Sequence, residues 1–411
     1  NVNFSGLHEN GYTVRGIQNA VSGNRDYCAE NYVGGMFGMM NGGTATELHV
    51  DGGSVSQTNI YMNGTNNPNT ACVGGLIGAT RIFQNSSSNS YAVTSSTVKN
   101  VHVTGRAFTN IQKGVNSELA EFDIYVGGAV GVGGAAENGA THLFEGIVAE
   151  DCAVEAVGEE YMLTYAGGVF GGVWYRNTIQ VRNCVGRDNS VISSSASFSA
   201  YSAGIAGLNS CPGDSYIEGC LVIDSTIEAI SYADGYSSYA AGVCALASNG
   251  AKIINNISNA VVNTNSEYNN SPTVAGIAFL SGDSYYSHLE DGRDPAKKGY
   301  YAKSTDVLKN NYFIASNVGV DIDSAVAFMG IADDGYSLVE ISKYGRSDFH
   351  IWGLYYTVED ITDLANYAVA LQGSSNSKTN NGQTSVVSDE ALYNLSVYSD
   401  NNTFTDLSYS N

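Results

Sequence analysis

Val126-Gly127-Gly128-Ala129-Val130-Gly131 is one of seven copies of a Gly-rich cassette, and its recurrence decides the fold. The others are Val33-Gly34-Gly35-Met36-Phe37-Gly38, Val73-Gly74-Gly75-Leu76-Ile77-Gly78 and Ala166-Gly167-Gly168-Val169-Phe170-Gly171, then Ser202-Ala203-Gly204-Ile205-Ala206-Gly207, Ala240-Ala241-Gly242-Val243-Cys244 and Val274-Ala275-Gly276-Ile277-Ala278. The central Gly falls at 35, 75, 128, 168, 204, 242 and 276, in steps of 40, 53, 40, 36, 38 and 34. Self-similarity at such a period marks stacked supersecondary units, so the 411 residues read as one elongated array rather than several globules.

A second column runs between the cassettes with the form apolar-x-Asn/Gly-apolar. It appears as Val14-Arg15-Gly16-Ile17, Val98-Lys99-Asn100-Val101, Phe144-Glu145-Gly146-Ile147, Val181-Arg182-Asn183-Cys184, Ile217-Glu218-Gly219-Cys220 and Ile254-Asn255-Asn256-Ile257, with Ala45-Thr46-Glu47-Leu48 as an irregular member. Asn or Gly at the third place fits a left-handed bend. A third apolar stretch follows, as in Val191-Ile192, Ile227-Glu228-Ala229-Ile230 and Val261-Val262. Three short strands per period predict an all-β, right-handed parallel β-helix (a β-solenoid) of about seven to eight rungs. Both residues after the central Gly are apolar, which predicts strands buried on two faces and a cover over that face, either an inserted loop or the C-terminal segment.

Three residues before each central Gly stand Tyr32, Cys72, Tyr125, Tyr165, Tyr201, Tyr239 and Thr273. Stacked rungs align these rings in a ladder; the favoured reading is structural, and an exposed row would instead hold sugar rings. Insertions are expected at 105–124 and 283–305, where solenoids place binding loops. The pattern changes after residue 305, so the chain divides into a β-helix over 1–305 and final rungs with an irregular α+β C-terminal cap over 306–411. Within the cap, 359–371 has helical spacing at Ile361, Leu364, Ala365 and Ala368, and 389–397 reads as a second short helix.

Composition narrows the function classes. Lys and Arg number 18 against 40 Asp and Glu, a net charge of −22, which argues against nucleic acid and anionic lipid as partners. No apolar run is long enough for a membrane helix. Asn1 is not a natural start, so a longer parent chain is expected. The seven cysteines read as buried apolar fillers rather than a disulfide framework, with Cys184 and Cys220 at one place in consecutive repeats and Cys211–Cys220 the pair to check.

Gly74-Gly75-Leu76-Ile77-Gly78, the Asn/Ser-rich turns and the following apolar-x-Asn-apolar strand together resemble the GLUG-motif repeats of large secreted or wall-attached bacterial proteins. Those include adhesin-like proteins and the non-catalytic parts of immunoglobulin A metallopeptidases. The opening Phe4-Ser5-Gly6 with Asn10-Gly11-Tyr12-Thr13-Val14-Arg15-Gly16-Ile17 is similar to a first rung of such arrays, and the likeness covers roughly residues 1–280. Ala245 and Phe279 depart from it by replacing the last Gly. The resemblance implies an extracellular, secreted or cell-wall-attached location and supplies no shared catalytic residue.

A zinc peptidase would need two His one helical turn apart; the six His at 8, 49, 102, 142, 288 and 350 contain no such pair. No Gly-x-Ser-x-Gly elbow and no Gly-Lys-Ser/Thr phosphate cradle occurs. Glycan cleavage needs two carboxylates at a set separation, and Asp321/Asp323 and Asp333/Asp334 offer pairs. Calcium is the one cofactor the acidic residues suggest, with Asp283, Asp291 and Asp294 as ligand candidates; their spacing does not match an EF-hand loop. Tyr285, Tyr286, Tyr300 and Tyr301, with Glu290 and Asp291, are the candidate ligand-binding residues, because rings and carboxylates together suit a glycan or protein surface. The reading is a non-catalytic, adhesin-like module for a host or bacterial surface glycan or protein, or a stalk; the alternative is a polysaccharide lyase or glycoside hydrolase on the same coil.

Overall fold

The computed structural model describes residues 3–4, 7–19, 31–61, 70–80, 90–109, 122–134, 141–159, 162–174, 178–196, 198–211, 215–232, 238–248, 252–266 and 273–281. It also describes the two-residue strands 308–309, 312–313, 331–332 and 385–386. The described residues are all β, with every strand pairing parallel and no helix. Strands stack in four sheets whose neighbours are one repeat apart in sequence, a solenoid-like architecture. From residue 91 onward each turn uses five strands rather than the three expected; in the first two turns the two sheet B strands are continuous, leaving four.

The turn over 91–134 shows them all. Tyr91–Thr94 lies in sheet A, Thr97–Lys99 and His102–Thr109 in sheet B, Phe122–Gly127 in sheet C and Val130–Gly134 in sheet D. Sheet B thus carries a short and a long strand per turn, fused into one strand at Leu48–Tyr61. The long strands alternate as the sequence says: in Ala153–Gly158 the residues Val154 and Ala156 face the core while Ala153 and Glu155 face out.

Two left-handed corners, not one, bound the short strand of sheet B. Glu47, Ser95, Gly146, Asn183, Gly219 and Asn255 have φ of 49–64° at the first; Asn100, Asp151, Asp188 and Asp224 have φ of 49–54° at the second. Asn, Asp and Gly accept this region at low cost. The corner amides stay in the inter-turn ladder: Gly146 N donates to Arg182 O at 3.0 Å, and Asp151 N to Arg187 O at 3.0 Å. Merging these corners misassigns Asn100, which belongs to the second, and Asn256, whose neighbour Asn255 is the left-handed residue. Gly16 sits within the strand Leu7–Asn19, opposite Gln57.

The cassette is a reversal. Gly128 and Ala129 join the sheet C and sheet D strands, and the two sheets fold back on each other with their outer faces together. A methyl on Gly127 would overlap the Val130 carbonyl oxygen, and one on Gly171 would overlap the Val126 amide nitrogen, so backbones touch across the fold. The tip reaches the inner face of the short sheet B strands: a methyl on Gly75 would meet Val98 Cγ1 at 2.8 Å, and one on Gly128 would meet Ala149 Cβ at 3.2 Å. The inner faces of sheets C and D serve the main core. Gly105 of sheet B lies against Ile124 and Val126 of sheet C, and Gly133 of sheet D lies against the Phe144 ring of sheet A. This corrects the expected cover: the two residues after the central Gly, such as Val169 and Phe170, both enter the main core, and among the described residues the second apolar face is closed by the chain's own reversal.

Residues 306–411 are described only as those four short strands, which extend sheets A, B, D and B in turn. The helices expected at 359–371 and 389–397 lie outside the described residues.

Candidate functional site

The facing outer sides of sheets C and D hold a second apolar cluster, separate from the main core. Cys72, Tyr125, Tyr165, Tyr201 and Ala203 come from sheet C; Ala79, Val132, Leu208, Ala245 and Leu246 come from sheet D. Tyr125, Tyr165, Tyr201 and Tyr239 pair in register and stack at 4.8, 4.9 and 5.0 Å with interplanar angles of 7°, 12° and 5°. Tyr125, Tyr165 and Tyr201 are 3%, 6% and 6% exposed, and Tyr32 and Tyr239 at the ends of the row are half-buried. The ladder is therefore structural filling between two sheets and not a platform for sugar rings. The Tyr125 hydroxyl donates to Asp123 Oδ2 at 3.1 Å, and burial, with Asp123 beside it, holds its pKa well above the usual phenol value.

Among the described residues chain length varies where this cleft opens, apart from one register shift between Cys244 and Ala247 in sheet D. Between sheets A and B, within sheet B and at the cassette, every complete turn spends two residues, as at Ser95-Ser96, Asn100-Val101 and Gly128-Ala129. The connections from sheet B into C span 20–30, 62–69, 110–121, 159–161, 196–199, 232–237 and 267–272. Those from sheet D into A span 41–42, 81–90, 135–140, 175–177, 211–215, 249–251 and 282–307. The first set is anchored where sheet C begins and the second where sheet D ends, the two lips of the cleft. The insertion expected at 105–124 is accordingly smaller: Gly105–Thr109 belongs to sheet B and Phe122–Ile124 to sheet C, leaving 110–121, with further length at 81–90.

Tyr285, Tyr286, Tyr300, Tyr301, Asp283, Glu290, Asp291 and Asp294 lie outside the described residues. Their segment, 282–307, runs from Ser281 at the end of a sheet D strand to Leu308 at the start of a sheet A strand, so it is one of the lip connections. Asp321, Asp323, Asp333 and Asp334 also lie outside the described residues. Among the described residues no group of three or more His, Cys, Asp and Glu is placed to hold a metal ion. Asp151, Asp188 and Asp224 stack at the second corner, and partial burial together with the two flanking carboxylates raises the Asp188 pKa. Their positive counterparts are inter-turn pairs on the outer faces, Lys99–Glu150 at 2.9 Å and Arg106–Glu155 at 2.9 Å, which as exposed pairs contribute little to stability.

Sequence reading missed His142. It is fully buried in sheet A beside Tyr91, ring centroids 4.0 Å apart and nearly parallel, and its Nδ1 accepts the Tyr91 amide at 3.3 Å. Its inward place opposite Ile179 was legible from the alternation of Thr141–Glu145. Burial lowers its pKa from 6.5 to about 4. Above 6.5 both folded and unfolded chains carry neutral His142, and no pH dependence arises from it. As pH falls from 6.5 to 4 the unfolded chain binds a proton that the folded chain refuses, so stability drops, by about 3 kcal/mol once pH is below 4. Urea unfolding across pH 4–7 should show this slope, and His142→Phe should flatten it; an identical profile for the variant would refute the assignment.

Comparison with protein-family models, curated proteins and solved structures finds no match for this chain.

Proposed function

We propose that the chain is a non-catalytic binding module of a bacterial cell-surface or secreted protein, adhesin-like in use, with the coil as scaffold and the lip connections as the binding surface. The observation that supports this most is the confinement of length variation to the two connections flanking the tyrosine-filled cleft, while the three other corners keep two residues each. Rigid walls that hold variable loops on one side are the usual arrangement for recognition. The likeness to GLUG-motif repeats, right-handed coiling, a count of seven to eight rungs and a C-terminal cap belong to the same proposal. The ligand class is a host or bacterial surface glycan or protein, and 282–307 is the leading contact segment through Tyr285, Tyr286, Tyr300 and Tyr301.

A glycan and host-protein array tests it. Binding without turnover is expected, and Ala at those four tyrosines should weaken it at least about tenfold without moving the unfolding midpoint, since tyrosines dominate recognition surfaces. Released oligosaccharide would instead establish the carbohydrate-active alternative, and no binding to any array would leave a spacer.

A further inference from the structure

Cys184 and Cys220 stand at one corner of successive turns, directly after the left-handed residues Asn183 and Gly219. The flanking pairs Arg182↔Glu218 and Val185↔Leu221 hold them in register, so their Cα atoms lie about 4.8 Å apart. That separation falls within the roughly 4.4–6.8 Å that a disulfide spans. Both side chains point into the core and are fully buried. The Cys184 thiol also donates to Arg182 O at 3.3 Å, and that of Cys220 lies 3.5 Å from Glu218 O. Asn256 of the next turn braces the corner: its Oδ1 accepts the Cys220 amide at 2.9 Å, and its Nδ2 donates to Ile217 O at 3.0 Å.

The other buried cysteines lack this arrangement: Cys152, at the second corner, meets Asn189 of the next turn, whose Oδ1 accepts its amide at 2.9 Å. Cys72 is in register with Tyr32 and Tyr125, and Cys244 with Ala206 and Ala278. Cys211 follows a sheet D strand, with Tyr216–Glu218 between it and Cys220. Both Cys184 and Cys220 are free in the structure.

We propose that Cys184 and Cys220 are a cross-linking site, at which a disulfide clamps two successive turns of the coil. The oxidant is a low-molecular-weight disulfide such as glutathione disulfide. Its S–S bond breaks to give two thiols, the Cys184 Sγ–Cys220 Sγ bond forms, and the two protein thiols surrender two protons and two electrons. Because the attacking species is a thiolate, and burial holds the Cys220 thiol well above its usual value, exchange in the folded coil is slow. The bond therefore forms while the corner is still open during folding, and the closed core then shields it from reductant.

The test is refolding of the reduced chain from denaturant in a glutathione redox buffer, followed by non-reducing peptide mapping. The expected result is a dominant Cys184–Cys220 linked peptide, two fewer titratable thiols than in the reduced chain, and a melting temperature raised by about 5 °C. Cys220→Ser should remove both the linked peptide and the rise; should that variant fail to fold, the map of the unsubstituted chain decides alone. Recovery of every thiol free after refolding, or of Cys220 linked to Cys211, overturns the proposal.

Discussion

Gly128→Ala should cost more than about 4 kcal/mol, or prevent folding, while Gly146→Ala costs about 1 kcal/mol. The contrast isolates what the cassette does. Gly146 has a φ of 63°, yet its nearest neighbours to an added methyl, Ser95 N and Cα, are 3.8 and 3.9 Å away, so only the left-handed backbone penalty applies. At Gly128 the methyl would overlap the Gly168 carbonyl oxygen of the next turn and press on Ala149, neither of which can yield without moving a whole strand. Gly207→Ala should fall between them, because its closest contacts are 2.7 and 3.0 Å and the next turn already carries Ala245 there. Urea unfolding of the three variants checks the order. Equal losses at Gly128 and Gly146 would mean that conformational freedom, and not the close approach of the reversal, is what the cassette glycines supply.

Tyr165→Ala should lose about 3–5 kcal/mol, the cost of emptying a large buried ring site. Tyr165 is stacked on both sides, by Tyr125 at 4.8 Å and Tyr201 at 4.9 Å, and lies between two sheets. Tyr239→Ala should lose roughly half as much, since Tyr239 stacks on Tyr201 alone within the row, faces Thr273 in the next turn and is half-buried. Denaturant midpoints at fixed slope measure both. A small effect at Tyr165 together with altered ligand binding would return the ladder to the list of contact surfaces.

Much of this was legible in the sequence because stacking makes equivalent residues recur at one place per turn. The tyrosine column was readable to the residue, since Tyr125, Tyr165, Tyr201 and Tyr239 keep a fixed offset from the cassette. The corners were harder. Two left-handed residues bracket strands only three residues long, such as Thr97–Lys99, and a corner within a stretch like Val98 to Val103 leaves only a single shift of apolar spacing, three residues to Val101 and then two to Val103. Five strands thus read as three. Burial of these strands on both faces was expected for the wrong reason: Val169 and Phe170 both enter the main core, and the second face is made by Tyr165 and its stacked equivalents. The candidate contact residues at 283–301 followed from a break in period, which locates an insertion but carries no record of the chemistry it meets.

The central claim is that residues one repeat apart stack at the spacing of neighbouring strands. Thr13, Ser54, His102, Ala153, Ser190 and Thr226 form one outward-facing column through five successive pairings. Spin labels on Thr13→Cys and Thr226→Cys should therefore give a pulsed-EPR distance near 24 Å, about 4.8 Å for each of five steps, despite the 212 residues between them. Moving the first label to Ser54 and then His102 should shorten it by about one strand spacing each time. A broad distribution beyond about 40 Å, or distances that do not fall with each step, would contradict the stacked coil and everything built on it.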